Sequence, residues 1–504
     1  MDPRFVRLTS LRRALPGLVL LVLGSGSARA QEAWDAVFLK NNRIGYVHTY
    51  IEKLTEKDRE LYRVRQDQVF TFQRLEDTVT MKLMYGTIET PEGQILRLDT
   101  RTLASDNEIR VHGDAIQGEM KLIMDTGQGH KQEQVIPWGP EVRGPYAAEQ
   151  SMARKPMVEG ESRSLKMYIP DVNRVVDFTY KAGPTVEVTL GDGKARPLRK
   201  IEQTATLDGK RQNVLDATLW ADSGGQVLKL ETDMMGGIVM YRTTREGAKA
   251  PADRRARLDE IRDTIIPIGK IIANPRATRY VKYGITLKDA DPAGIFPADN
   301  RQTIEAGPSA NTLFLSVNTG GPTEGAGGAA EPDAAYSRPN GIVTSDDSVV
   351  RRLTKSAVGD AASPWDKATR ISHWVFENIK EKNFTVAFAP ANEVARNLTG
   401  DCSEHAVLAA AMSRAAGIPS RIVVGLLFVD NPRQRIKGFG YHVWHEVYVN
   451  NRWVALDASW DQASVDATHI KLADTALDGV APFEAFLPIA RVQGKLEIDP
   501  IELR

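Results

Sequence analysis

A chain of 504 residues with a single cysteine, Cys402, has no covalent cross-link available to it. No intrachain disulfide can form, and no zinc site can draw on two thiolates. The fold must rest on apolar burial, and a composition of 42% hydrophobic residues suffices for that. At about 100–200 residues per domain, the length accommodates several domains, each able to bury its own core. Lys+Arg and Asp+Glu number 65 each, so net charge recruits neither nucleic acid nor an anionic membrane surface.

Residues 1–30 read as a secretory signal. Arg4, Arg7, Arg12 and Arg13 form a basic start, and Leu15 to Leu23 is an apolar run shorter than the ~20 residues a bilayer span needs. Ala28-Arg29-Ala30 fits a small-x-small cleavage site, which predicts cleavage after Ala30 and a mature chain beginning at Gln31. No later stretch is apolar enough to span a bilayer. The expectation is an exported protein, periplasmic or extracellular, without stable membrane insertion. Disulfides are permitted outside the cytoplasm, yet none is built, so Cys402 is set aside for chemistry rather than structure.

Residues 31–250 read as a β-rich accessory domain. Val79, Met81, Leu83 and Tyr85 alternate with Thr80, Lys82 and Met84. Val186, Val188 and Leu190 alternate with Glu187 and Thr189. Period two with one polar face predicts half-buried antiparallel strands. Asn41-Asn42, between two such runs, predicts a hairpin turn. The segment Gly93-Gln94-Ile95-Leu96-Arg97-Leu98-Asp99-Thr100 matches Gly225-Gln226-Val227-Leu228-Lys229-Leu230-Glu231-Thr232, with five positions identical and three conservative. An internal repeat, giving one long curved sheet or two packed sheets, would explain the match, as would two similar hairpins. No catalytic residue types cluster there, so the region reads as a platform or substrate-shaping domain.

Residues 251–318 are a mixed connecting region. In Thr319 to Ala335, twelve of seventeen residues are Gly, Ala or Pro, which sets a linker over 319–340. A C-terminal domain is expected over 341–480, followed by a tail over 481–504. Ser363 is a suitable N-cap, with Pro364 at the first helical position. Trp365, Ala368, Ile371, Val375 and Ile379 then recur at helical spacing through Lys380. A short helix is predicted at about Asn392 to Leu398.

The segment Thr399-Gly400-Asp401-Cys402-Ser403-Glu404-His405 opens a long Ala-rich helix that ends at Ala416, with Gly417 beyond it and Pro419 after that. Asp401 and Glu404 have capping-box spacing, which places Cys402 at the first helical position. Unpaired N–H groups and the positive end of the helix dipole favour a thiolate there. A nucleophilic thiol needs a base, and the base an orienting group. Tyr441 to Val449 and Arg452 to Ser459 read as two strands joined by an Asn450-Asn451 turn. Val449 then pairs with Arg452, Trp444 with Asp457 and His442 with Ser459. His442 and Asp457 become diagonal neighbours on one face, ~7–8 Å apart at Cα. His445 points to the other face, opposite Leu456. A slip of one residue would put Asp457 opposite His445 instead.

Over roughly residues 345–475 the sequence resembles the transglutaminase-like superfamily, whose core is a papain-like Cys-His-Asp site. The residues carrying the resemblance are Gly400-Asp401-Cys402, Arg414, Gly417-Ile418-Pro419-Ser420-Arg421, His442-Val443-Trp444-His445-Glu446 and Trp453-Val454-Ala455-Leu456-Asp457. It implies an α+β fold with a C-terminal papain-like domain, Cys402 as nucleophile, His442 as base and Asp457 as orienter. It also implies acyl transfer or hydrolysis at amide bonds of a protein or peptide substrate, with peptidase or amidase activity as open as cross-linking. The β-rich region has no such match; it looks like accessory domains that precede this core in exported bacterial proteins. The Cys402 backbone N–H is the natural first oxyanion donor. A second is not readable, although Asn392 and Asn397 lie in the preceding segment.

Other readings carry less. Cys402, His405, His442 and His445 lack zinc-site spacing, and His442 and His445 should face opposite sides of a strand, so no metal is expected. Asp457, Asp461 and Asp466 do not make a calcium loop, and no cofactor is implied. His405 could contact the thiol or lie on the surface. Trp444 and Trp453 read as core or cleft wall. His48, His112, His130, His373 and His469 receive no functional reading. The alternative to an enzyme is an inactive binding or assembly module on the same fold. Oligomeric state is not legible.

Overall fold

The computed structural model describes residues 31–74, 77–104, 107–126, 131–251, 264–288, 291–322, 331–380, 389–432, 436–479 and 482–504. Residues 1–30, which the sequence leads one to expect as a signal, and His130 lie outside the described residues. Period-two alternation dominates the first half of the chain, and it builds one sheet of sixteen strands. Gln31–Leu39 lies in the middle of that sheet. The chain meanders outward from it to an edge at Lys131–Pro137, crosses to the other edge at Val142–Arg143, and meanders back to Ile238–Thr243, which pairs with Gln31–Leu39. The two edges approach each other. Asn173 Nδ2 donates to Gln134 Oε1 at 2.8 Å, and Tyr168 packs against both Tyr85 and Trp138.

The first hairpin turns at Lys40-Asn41, one residue earlier than Asn41-Asn42. Leu39 pairs with Asn42, and Lys40 and Asn41 take φ of 48° and 66°. Left-handed conformations at both central positions match the twist of the flanking strands. The two matching octapeptides adopt one turn. Thr90 N–H donates to Gln94 O at 2.9 Å and Asp222 N–H to Gln226 O at 3.0 Å, with Gly93 and Gly225 at φ of 83° and 77°. The same turn recurs at Leu190–Lys194 around Gly193, at φ of 76°, without the sequence match. The octapeptides therefore share a turn conformation, with glycine at its left-handed position.

Three strands follow: β1 (Tyr280–Leu287), β2 (Gln302–Ala306) and β3 (Thr312–Asn318). Four helices come next among the described residues: α1 (Ser348–Val358), α2 (Pro364–Asn378), α3 (Ala391–Asn397) and α4 (Cys402–Ala415). Ser363 caps α2 by accepting from Asp366 N, and Gly417, at φ of 80°, follows the end of α4. A further sheet contains β4 (Ser420–Asn431), β5 (Ile436–Val449), β6 (Arg452–Leu456) and β7 (His469–Thr475) in the order β6-β5-β4-β7. The C-terminal stretch, expected as a tail, instead supplies β8 (Leu496–Leu503), which completes a sheet β2-β3-β1-β8. Leu496 and Ile498 are buried and alternate with exposed Glu497 and Asp499, so this segment has a sheet face to bury.

One apolar cluster joins all three sheets. It includes Tyr85, Leu98 and Tyr168 of the large sheet, Val281 and Leu315 of the small one, and Ile371, Val407, Met412 and Phe428 around α4. Ser403 to Arg414 of α4 is buried on every side. That explains its run of alanines, since a helix enclosed all round needs small residues wherever neighbours approach closely. The start of the Gly/Ala/Pro stretch lies on the C-terminal domain: Gly320 O accepts from Ser464 Oγ at 3.2 Å and Pro322 O from Asn450 Nδ2 at 3.4 Å. Among the described residues, no helix is long and apolar enough to cross a membrane.

Candidate active site

The start of α4 is built as its sequence predicts. Asp401 Oδ1 accepts from Ser403 N at 2.8 Å, and Glu404 Oε2 accepts from Asp401 N at 3.0 Å, closing the capping box. Glu404 Oε1 also accepts from Ala389 N at 3.1 Å, which ties the preceding segment to the helix start. Burial, with the Asp401 carboxylate beside it, pushes the Glu404 carboxyl well above its ordinary range. Gly400 sits at φ of 147°, and a Cβ there would lie 2.3 Å from Glu404 Cβ, so only glycine fits. Cys402 is the first residue of the helix and is half-buried. It packs against the main core, as does Tyr441, the residue before His442. The helix itself packs on β5, the strand that carries His442.

The hairpin from β5 to β6 turns at Asn450-Asn451, at φ of 52° and 58°, and pairs Val449 with Arg452 and His445 with Leu456. The expected pairs Trp444–Asp457 and His442–Ser459 do not form. The ladder stops at Leu456 because Asp457 enters a loop closed on Gln462, through N–H···O bonds of 2.9 and 3.0 Å. His442 and Asp457 meet nevertheless: His442 Nε2–H donates to Asp457 Oδ2 at 2.7 Å, and both are buried. With its proton on Nε2, the imidazole keeps the Nδ1 lone pair for proton transfer.

Asp457 is held on all sides. Oδ1 accepts from Ser459 N at 2.8 Å and from Ser459 Oγ at 2.7 Å. Oδ2 accepts from His469 Nε2 at 3.1 Å as well as from His442. Burial alone would raise this carboxyl; His442 and His469, by charge and hydrogen bond, hold it well below the ordinary carboxylate range. His445 lies apart from the His442–Asp457 pair. It is fully buried on the opposite side of the strand, neither ring nitrogen has a hydrogen-bond partner among the described residues, and burial lowers it to about 4. His405 is buried, with Nδ1 2.6 Å from Asp401 O, so it braces the helix cap rather than lying on the surface.

Sequence reasoning passed over His469. The described residues of metal-ligating type that converge are His442, Asp457 and His469, with ligand atoms within 4.8 Å of one another. Their contacts of 2.7 and 3.1 Å to one shared carboxylate oxygen are N–H···O spacings. Cys402, His405, His442 and His445, which lack zinc-site spacing in the sequence, are turned apart: His405 faces Asp401 O and His445 the far face of β5. Asn392 is fully buried, with its amide atoms unpartnered among the described residues, whereas Asn397 is exposed.

The connecting region, hard to read in sequence, braces this site from behind. Arg276 Nη1 meets Asp466 Oδ2 at 2.7 Å, Arg301 Nη2 donates to Asp466 O at 3.1 Å, and Tyr283 Oη donates to Ala467 O at 3.0 Å. Gln302 clasps Lys471 on both sides, with Lys471 N donating to its Oε1 at 2.6 Å and its Nε2 donating to Lys471 O at 3.1 Å. At the other end of α4, Arg414 donates to Ser420 O at 2.9 Å and to Ala476 O at 3.2 Å. Gly425, which pairs with His442, has no room for a side chain: a Cβ would lie 2.2 Å from Ile470 O and 2.6 Å from the Trp444 ring.

Residues 351–458 match the family model described as the transglutaminase-like superfamily. The C-terminal region is a transglutaminase-like domain. The matched segment contains Cys402, His442 and Asp457 and ends before His469. Kyphoscoliosis peptidase of Mus musculus is 26% identical over 139 aligned residues. That match covers 24% of this chain and 20% of the mouse protein, so the chain spans about a fifth of that relative's length. A provisionally assigned cysteine protease from Cytophaga hutchinsonii aligns at 16% identity and a TM-score of 0.27, over 45% of this chain and 86% of that one. A β-barrel-like protein of unknown function from Brucella abortus aligns at 14% identity and a TM-score of 0.31, over 42% of this chain and 94% of that one.

Proposed function

We propose that this chain is an exported thiol enzyme that transfers or hydrolyses acyl groups at amide bonds of proteins or peptides. Cys402 is the nucleophile, His442 the general base and Asp457 the group that orients it. The observation carrying this reading is the buried His442–Asp457 hydrogen bond of 2.7 Å, on the strand against which the cysteine helix packs. Export rests on the sequence of residues 1–30.

The Cys402 thiolate attacks the amide carbonyl, and the Cys402 backbone N–H, at the positive end of α4, donates to the developing oxyanion. His442, protonated by the thiol, gives that proton to the leaving amine as the C–N bond breaks and a thioester forms. Asp457 holds the ring in the Nε2–H tautomer and stabilises the imidazolium. Water, or an amine where water is excluded, then attacks the thioester while His442 takes the incoming proton, which regenerates the thiol.

The test is the rate of Cys402 alkylation against pH, in the wild type and in His442→Ala. A free thiol titrates near ~8.5, and an activated one at ~3.5–7.5. Fast labelling below about pH 7 that is lost in His442→Ala is expected. Slow labelling with an ordinary thiol profile, unchanged by the substitution, would overturn the catalytic reading and favour a binding module.

A further inference from the structure

The proposed chemistry uses three side chains and leaves a buried fourth unexplained. His469 opens β7 and lies beyond the family-matched segment. Its Nε2 is 3.1 Å from Asp457 Oδ2, the oxygen that also accepts from His442. Its Nδ1 is 3.4 Å from Asp466 Oδ1, and its ring lies edge-on to Trp444 and to His442, with centroids 5.3 and 5.8 Å away. The backbone is fixed too: His469 N–H donates to Asp466 O at 3.2 Å, and Arg301 Nη2 lies 3.4 Å from His469 O. Asp466 is itself anchored by Arg276, Gln462 and the Thr468 N–H, at 2.7, 2.9 and 2.7 Å. The charged and titratable groups around the ring are therefore Asp457, His442, Asp466, Arg276 and Arg301.

We infer that His469 is a positioning residue for the triad: its Nε2–H fixes the plane of the Asp457 carboxylate, so that Oδ2 stays aligned with His442. This rests on reading Cys402, His442 and Asp457 as catalytic. The physical need is plain, because the terminal torsion of an aspartate is broad and two-fold. Ser459 pins Oδ1, but His442 must itself gain and lose charge during turnover and cannot serve as its own anchor. A donor on Oδ2 that takes no part in proton transfer removes that freedom, as outer-shell partners do for metal-bound side chains. Arg276 and Arg301, far back along the chain, then become part of what holds the triad in register.

The experiment compares iodoacetamide labelling of Cys402 in the full chain at about pH 6, below the titration of a free thiol. The variants are His442→Ala, His469→Leu, His469→Gln and His469→Asn. A hydrogen bond to a charged group supports at least a tenfold effect. His469→Leu and His469→Asn should label about tenfold more slowly than wild type, and His469→Gln, whose amide reaches Oδ2, within about twofold of it. A merely structural role predicts the reverse order, since a buried Leu is tolerated better than a buried amide. Near-ultraviolet circular dichroism checks the fold, and the Gln–Asn pair decides the matter if the Leu variant does not fold. Equal labelling of wild type, Gln and Asn, or equal slowing of Gln and Asn, overturns the proposal while leaving the triad standing. A wild type that labels no faster than His442→Ala overturns the triad and this inference with it.

Discussion

Replacing Asp457 with Asn is expected to lower turnover by about 10⁴-fold, the cost of presenting a catalytic histidine in the wrong tautomer. The native carboxylate is acceptor-only, and its Oδ2 receives the His442 Nε2–H at 2.7 Å. An amide can turn its NH₂ toward the ring, which selects the Nδ1–H tautomer and removes the lone pair the thiol needs. Burial pushes the native carboxyl up, but His442 and His469 hold it well below the ordinary range. Alkylation of Cys402 against pH measures the effect before any substrate is known. The Asn variant should match His442→Ala. Labelling within tenfold of wild type would show that the ring is oriented by something other than Asp457.

The reach of sequence reasoning follows from how each part is specified. The Cys402 helix start is local: Gly400, Asp401 and Glu404 act within one turn, and their spacing alone implies the cap that forms. The β5–β6 hairpin is nearly local, and two asparagines in left-handed conformations set a register that brings His442 to Asp457 even though the ladder ends at Leu456. The brace behind the site is different. Arg276, Arg301 and Gln302 act on residues far along the chain, mostly through backbone carbonyls, and a carbonyl leaves no residue-type signal to read. His469 is marked by no spacing either, because it reaches Asp457 from β7, on the far side of β4. The C-terminal strand did carry a signal, the alternation of Leu496 and Ile498 with Glu497 and Asp499, but its partner β1 is remote in sequence.

Removing the Lys471 cation, as in Lys471→Met, is expected to destabilise the sheet that carries His442 and His469 by about 3–5 kcal/mol, the usual cost of breaking a buried ion pair from one side. Lys471 Nζ is buried and lies 3.0 Å from Glu446 Oε2, 3.2 Å from Asp299 Oδ2 and 3.1 Å from Asp474 Oδ2. Arg421 Nη2 reaches Glu446 from the other side at 2.6 Å while its ring-facing surface covers Trp453. Without Lys471, Glu446, Asp299 and Asp474 lose the cation that all three share. Hydrogen exchange of amides in β5 and β7 is the measurement, since it reports the opening of this unit rather than of the whole chain; protection should fall by about 10²–10³-fold or more. The acid dependence follows from Glu446. Burial would raise it, yet Lys471 and Arg421 bring it down to about 2, from an unfolded value near ~4.3. A depressed carboxylate contributes stability that is complete above the unfolded value and lost as pH falls through the folded one. Wild-type protection in β5 should therefore decline across that window, whereas Glu446→Gln, already weakened, should change less. The double variant Glu446→Leu with Lys471→Met should lose less than the sum of the singles, because it removes both charges together and leaves Arg421 paired to Asp474 at 3.0 Å. Strict additivity would mean that the pair is not coupled, and that packing alone holds β5 and β7 in place beside His442 and His469.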